Sequence, residues 1–211
     1  MADTSGRRPA STATPHHRRL RAAAVAVAVG APLLLGGAPA GAVTTADASP
    51  RTSDAHCVQD LGSGGLECYA TFTDAVDAAT GGRISDAPAG VEAAEGDARL
   101  HGRTAELARD RDAIRAGEVI QGTFFDETNY GGGSLTVRGE APCKKDGWVD
   151  WQLTLDDEWK DRISSVQPWA ECWIWLYPEP DLGGERDGPF KENTPDIGSF
   201  MNDRTQSIGF S

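Results

Sequence analysis

Apolar and polar positions alternate in two similar stretches of this chain, at 119–124 and at 172–176. Alternation with a period of two is typical of a β-strand that has one buried face. Each stretch leads into a polar, Gly-rich segment, which is the pattern of a strand entering a hairpin. An aromatic residue, a large apolar residue and a Gly recur at the same spacing: Phe125, Tyr130 and Gly132 in the first stretch, and Tyr177, Leu182 and Gly184 in the second.

The segments that follow these hairpins also repeat, at 161–166 and at 202–208. An internal repeat of this kind predicts two copies of one supersecondary unit. In each copy the Gly is expected at a positive φ, which a side chain would oppose. A Ser in the following segment, Ser165 or Ser207, is expected to satisfy hairpin backbone groups that would otherwise be unpaired.

These residues resemble the signature of the βγ-crystallin domain over about residues 116–211. The resemblance implies an all-β fold in which two Greek-key motifs pack as a sandwich of two four-stranded sheets. We therefore expect a βγ-crystallin-like domain over 118–211. Ahead of it we expect a small disulfide-stapled hairpin–helix element over 56–83, with Thr73 at the helix N-cap, and a charged linker over 84–117.

The first residues have the three parts of a secretory signal peptide. A basic start, an apolar run over 22–37 and a small-residue cleavage site at 40–42 predict that residues 1–42 are removed and the protein is secreted. Residues 43–55 are predicted to be disordered. Without residues 1–42, which hold five Arg and one Asp, 15 basic and 31 acidic residues leave a net charge of −16. That charge disfavours nucleic acid and membrane partners.

All four cysteines lie beyond the predicted cleavage site, and an even number in an exported chain indicates two disulfides. Three pairings are open on the count alone. We expect Cys57–Cys68 and Cys143–Cys172, because the two pairs lie on either side of a break in composition.

Catalysis is not expected from this sequence. His56 and His101 are the only histidines after residue 42, and both lie outside the crystallin-like domain. The sequence has no HExxH or GxSxG motif, and nothing in it places two carboxylates across a cleft as a glycosidase requires. The expectation is a non-enzymatic, monomeric module.

The resemblance also implies calcium. Many microbial domains of this family bind calcium through two Asn/Asp residues, any two residues, Ser/Thr and Ser, and the matching segments here are 160–165 and 202–207. The candidate ligands are Asp161, Ser164, Asn202 and Asp203, with the hairpin acids Asp126 and Glu179 near them in the pattern. Lys160 and Gln206 depart from the pattern, so at most one tight calcium site is expected. The alternative is that both segments only close the Greek keys.

Two further functions stay open from the sequence. Small exported crystallin-type domains with two disulfides include microbial metalloproteinase inhibitors, which implies an extracellular protease as partner. All six Trp lie between Trp148 and Trp175. This cluster is explained either by core packing or by a polysaccharide-binding surface of a cell-wall-directed antimicrobial module.

Overall fold

The computed structural model describes residues 55–211. The predicted signal peptide and residues 43–54 of the predicted disordered segment lie outside the described residues. The described strands are β1 (His56–Asp60), β2 (Leu66–Tyr69), β3 (Val119–Phe125), β4 (Ser134–Gly139), β5 (Trp151–Thr154), β6 (Ser165–Pro168), β7 (Ile174–Tyr177), β8 (Asp187–Phe190) and β9 (Ser207–Phe210). The described helices are α1 (Phe72–Ala79), α2 (Val91–Glu95), α3 (Ala98–Leu107) and α4 (Arg111–Ala116). None of the helices within 55–211 has the length and apolarity needed to span a membrane.

The strands form two sheets, and at each sheet residues of one repeat pair with residues of the other. The first sheet has the order β2-β1-β4-β3-β6, and the second has the order β5-β9-β7-β8. β5 follows the first hairpin in sequence but pairs antiparallel with β9 of the second repeat. A bridge between Val166 and Thr194 brings the second repeat to β6 of the first. The predicted sandwich of two Greek-key motifs is confirmed. The first sheet has five strands where four were expected, because β1 and β2 add to its edge.

The main hydrophobic core lies between the two sheets, where alternate side chains of each strand point inward. Phe124 of β3 meets Phe210 of β9 edge to face, with 6.1 Å between the ring centroids. Burying one such side chain contributes about 1.5–3 kcal/mol relative to leaving it exposed. The strand residues that share this core are Leu135, Val137, Val166, Ile174, Leu176 and Ile208, each at most 1% exposed.

The N-terminal hairpin is part of the first sheet and does not form a separate element ahead of the sandwich. β1 pairs antiparallel with β2 and parallel with β4. The Ser134 N–H donates to the Ala55 carbonyl at 3.1 Å, and Ala55 is buried, so order extends into the last residue of the segment predicted to be disordered. The pairing with β1 satisfies an edge of β4 that would otherwise be open, which explains the difference from the prediction.

Both predicted disulfides are present. Cys57–Cys68 links β1 to β2, and Cys143–Cys172 links the segment after β4 to the segment before β7. Two disulfides are consistent with an oxidising, extracellular compartment.

Residues 84–117, predicted as a linker, instead form α2, α3 and α4. The side chains of Asp97 and Asp110 cap α3 and α4 by accepting hydrogen bonds from N–H groups of the first turn. The linker prediction is wrong because the few apolar residues of this segment are buried together. Val91, Ala94 and Leu100 lie in one hydrophobic cluster.

The helices form a third layer on the outer face of the first sheet. α1 begins after Thr71, which caps it two residues earlier than predicted, and packs against Val58 and Ile120. α2 and α3 pack against Phe125 and Tyr130. All seven residues of β3 are buried, since one face contacts the second sheet and the other contacts the helices. The fold is therefore a β-sandwich with helices on one side.

Candidate cation site between the two repeats

The two hairpins have closely similar backbones. Gly132 and Gly184 have φ of 70° and 81°, in the left-handed region that favours glycine. A Cβ at Gly132 would collide with the Asp126 carboxylate, and a Cβ at Gly184 would lie 2.7 Å from the Pro178 ring. Each hairpin thus folds back over the residue that directly follows its strand.

A Ser from the same repeat fixes each hairpin from below. Ser165 Oγ donates to the Glu127 carbonyl at 2.7 Å and accepts from the Tyr130 N–H at 3.1 Å. Ser207 Oγ makes the equivalent bonds, at 2.6 Å and, from the Leu182 N–H, at 2.9 Å. These bonds satisfy backbone groups that the turn leaves without strand partners.

The two hairpin aromatics are buried by different neighbours. The Phe125 ring meets the Tyr130 ring edge-on, 5.5 Å between centroids, beneath the helical layer. Tyr177 lies beside Gly209, where a Cβ would be only 3.4 Å from the Tyr177 ring. The repeat therefore keeps the hairpin but not its surroundings.

Four of the six predicted metal-site residues meet between the repeats. Ser164 Oγ donates to the Asp126 carbonyl at 3.1 Å and to Asp203 Oδ1 at 3.4 Å. Asn202 Nδ2 donates to Asp203 Oδ2 at 2.9 Å. A carbonyl, a hydroxyl and a carboxylate from two repeats therefore converge, and oxygen donors of these three kinds are those that calcium uses. We refer to Asp126, Ser164, Asn202 and Asp203 as the first position.

Asp161 lies at the equivalent place on the other side, which we call the second position. Gln206 replaces Ser164 there, and its Nε2 donates to both carboxylate oxygens of Asp161, at 3.3 and 3.2 Å. Glu179 contributes its carbonyl to Ser207, and its carboxylate lies against Gly183. Gln206 thus presents a longer amide where the first position has the hydroxyl of Ser164. That at most one tight calcium site is formed stays a prediction.

The Asp126 carboxylate is already paired with a cation of the chain. Arg162 Nη2 donates to Asp126 Oδ2 at 2.5 Å, and the two side chains are 23% and 11% exposed. Asp126 Oδ1 is buried and has no hydrogen-bond partner within residues 55–211. Across the same residues, no group of three or more His, Cys, Asp or Glu is arranged to hold a metal ion. The first position thus offers carbonyl, hydroxyl and carboxylate oxygens, and of its two carboxylates the one of Asp126 is already paired with Arg162.

Lys160 directly precedes Asp161, at the second position, and its ammonium group pairs with Asp157. Its Nζ donates to Asp157 at 2.7 Å, and this bond raises the pKa of Lys160. The residue that most changes the charge of the first position is Arg162, which the sequence analysis did not single out. A signal for it was present, because Asp161–Arg162 and Asp203–Arg204 are the same dipeptide at equivalent positions of the repeat.

The strand exchange and the Ser-fixed hairpins define a two-repeat Greek-key sandwich. Solved structures similar to this chain include a βγ-crystallin domain from Clostridium beijerinckii, with 21% identity, TM-score 0.34, and coverage of 43% of this chain and 95% of that chain. A βγ-crystallin domain from Flavobacterium johnsoniae has 20% identity, TM-score 0.32 and coverages of 43% and 92%. The N-terminal domain of protein S has 16% identity, TM-score 0.33 and coverages of 43% and 94%.

No protein-family model and no curated protein matches the chain. The similarity to the solved structures concerns the fold alone, and the strand order and registers above establish that fold independently.

Proposed function

We propose that this protein is an exported, non-enzymatic binding module that holds one calcium ion at the first position. The convergence of the Asp126 carbonyl, Ser164 Oγ and the Asp203 carboxylate supports the proposal. Calcium takes six to eight oxygen ligands, so the Asn202 amide oxygen and water would complete the shell. Four protein oxygens that include only one carboxylate correspond to weak binding, of about 10⁻⁴–10⁻³ M.

Two observations support the non-enzymatic part of the proposal. His56 Nδ1 lies 2.9 Å from Ser134 Oγ, a pairing that resembles a nucleophile with its base. Ser134 is fully buried, however, and no substrate reaches it without unfolding of the sheet. The second histidine, His101, has its Nε2 2.6 Å from the Glu95 carbonyl and its ring against Trp169.

The polysaccharide alternative receives less support from the tryptophans. Trp159 is a core residue at 2% exposure, whereas Trp148 is 80% exposed. Trp173 and Trp175 each carry a cation over the ring, Lys191 Nζ at 3.6 Å and Arg186 Cζ at 3.8 Å, so that a face of each is already covered. The protease-inhibitor alternative stays a prediction.

Calorimetry and thermal melting of the purified chain with and without calcium test the proposal. We expect one binding event and, at 10 mM calcium with a Kd near 1 mM, a stabilisation of about 1.4 kcal/mol. That corresponds to an increase in Tm of about 3–6 °C. Ser164→Ala should remove both signals, whereas Gln206→Ala, its counterpart at the second position, should keep them. Absence of heat and of a shift at 10 mM calcium would contradict the proposal, and so would two sites of equal affinity.

A further inference from the structure

The internal repeat places an Arg at the same point of each unit, which allows a direct comparison. Arg162 Nη1 donates to the Glu158 carbonyl and Arg204 Nη1 to the Phe200 carbonyl, both at 2.7 Å. Each guanidinium also lies over an aromatic ring, at 4.7 Å from Trp159 for Arg162 and at 5.4 Å from Phe200 for Arg204. The two arginines are therefore held in the same way by their own segments.

The two arginines differ in what the hairpin offers them. The residue that follows β3 is Asp126, and the equivalent residue after β7 is Pro178. Arg162 consequently has a carboxylate partner at 2.5 Å, whereas the hairpin next to Arg204 provides a ring without charge at that position. The ion pair belongs to the first repeat only.

The environment of Asp126 makes a cation necessary. Its side chain is 11% exposed, and Oδ1 is directed at Gly132 under the hairpin. A buried carboxylate without a compensating charge is strongly unfavourable, and a charge-assisted bond to a guanidinium is among the stronger ways to compensate it. Arg162 thus supplies the positive charge that the buried Asp126 carboxylate requires.

Asp126 also contributes its carbonyl to the first position. A cation bound at the first position lies beside the Arg162 guanidinium, which already neutralises the Asp126 carboxylate, so that the two positive charges repel each other. We propose that Arg162 is a built-in cation that fixes the first hairpin in the absence of metal and sets the calcium affinity of the first position low. The calcium part of this inference rests on the proposed function, while the hairpin part does not.

Calcium titration of two matched variants tests the inference. Arg162→Gln removes a positive charge beside the first position and leaves the Asp126 carboxylate without its cation, so the calcium Kd should fall by about ten-fold or more. Arg204→Gln removes the equivalent guanidinium where no carboxylate faces it, and its Kd should stay within about two-fold of that of the unmodified chain. Equal effects of the two substitutions would overturn the inference.

Thermal melting in chelator tests the hairpin part without any metal. Arg162→Gln should lower Tm by several degrees more than Arg204→Gln, and calcium should restore more of the loss in Arg162→Gln. Combining Arg162→Gln with Asp126→Asn should lower Tm less than the sum of the two single changes, because the pair acts as a unit. Simple additivity of the two losses would overturn the hairpin part.

The outcomes separate this inference from the proposed function. Calcium binding by the unmodified chain without tightening in Arg162→Gln overturns the inference alone. Absence of calcium binding by both proteins overturns the proposed function and the calcium part of the inference together. If Arg162→Gln does not fold, Arg162→Lys keeps the charge but not the planar fork, and its calcium Kd should change by less than about two-fold. A large fall in Kd for Arg162→Lys would contradict an electrostatic origin.

Discussion

Leu100→Ala tests whether the helical layer is an integral part of the fold. Leu100 lies on α3, in the segment that the sequence predicts as a linker, and is 5% exposed in the cluster that contains Phe125 and Val91. Truncating a buried Leu to Ala costs about 2–5 kcal/mol, from lost transfer free energy and from the cavity left behind. We expect about 2–3 kcal/mol, because small neighbours such as Ala94 lie in the same cluster and allow partial collapse.

Urea unfolding followed by circular dichroism and Trp fluorescence measures this loss. The midpoint should fall with little change in slope, and Tm should fall by about 4–12 °C. Arg99→Ala is the matched control, since Arg99 lies on the same helix with its side chain 84% exposed and should change stability by less than about 0.5 kcal/mol. A loss for Leu100→Ala no larger than that for Arg99→Ala would refute the packing of α3 against the sheet.

Two further changes test the hairpins and the charged edge of the first sheet. Ser165→Ala removes the hydroxyl that bonds to the Tyr130 N–H and to the Glu127 carbonyl. The free energy of unfolding measured in urea should fall by about 2–4 kcal/mol, because both backbone groups lose their buried partner. A fall below about 0.5 kcal/mol would contradict this role of Ser165. Burial by itself would raise the pKa of Asp60. Hydrogen bonds from two backbone N–H groups and the charge of Arg138 lower this pKa by a larger amount, so that it lies below its ordinary value of 3.8. The stability that ionised Asp60 contributes is therefore fully present above about pH 4 and is lost as the pH falls through the lowered pKa. Asp60→Asn should consequently lose less Tm between about pH 4 and pH 2 than the unmodified chain does.

The hairpins and the Ser residues beneath them follow from local sequence. The spacing from Phe125 to Gly132 fixes which residue needs a positive φ, and this requirement depends only on a few neighbouring residues. The Cys57–Cys68 pair is local for a similar reason, because it closes a single hairpin, whereas Cys143–Cys172 joins the first repeat to the second. Such local features are determined within a short stretch of chain and can be recognised there.

The sequence motif predicts only part of the first position. The pattern identifies Ser164 and Asp203 as oxygen donors, but their distance depends on how the two repeats pack. The role of Arg162 depends on Asp126, 36 residues earlier, and on the hairpin that buries that carboxylate. A sequence pattern gives residue types and cannot show which charge is already neutralised, because that is decided by burial and by distance.

The sequence by itself determined a β-sandwich of two repeats, since period-two alternation and hairpin glycines are local requirements of a pleated strand and a tight turn. The tertiary structure alone decided that the outer face of the first sheet is covered. Ile120 and Phe125 are apolar residues on that face. β1 and α1 bury Ile120, and α1, α2 and α3 bury Phe125. Those helices contain too few apolar residues to fold alone, and they become stable only against a sheet that supplies the other half of the buried surface.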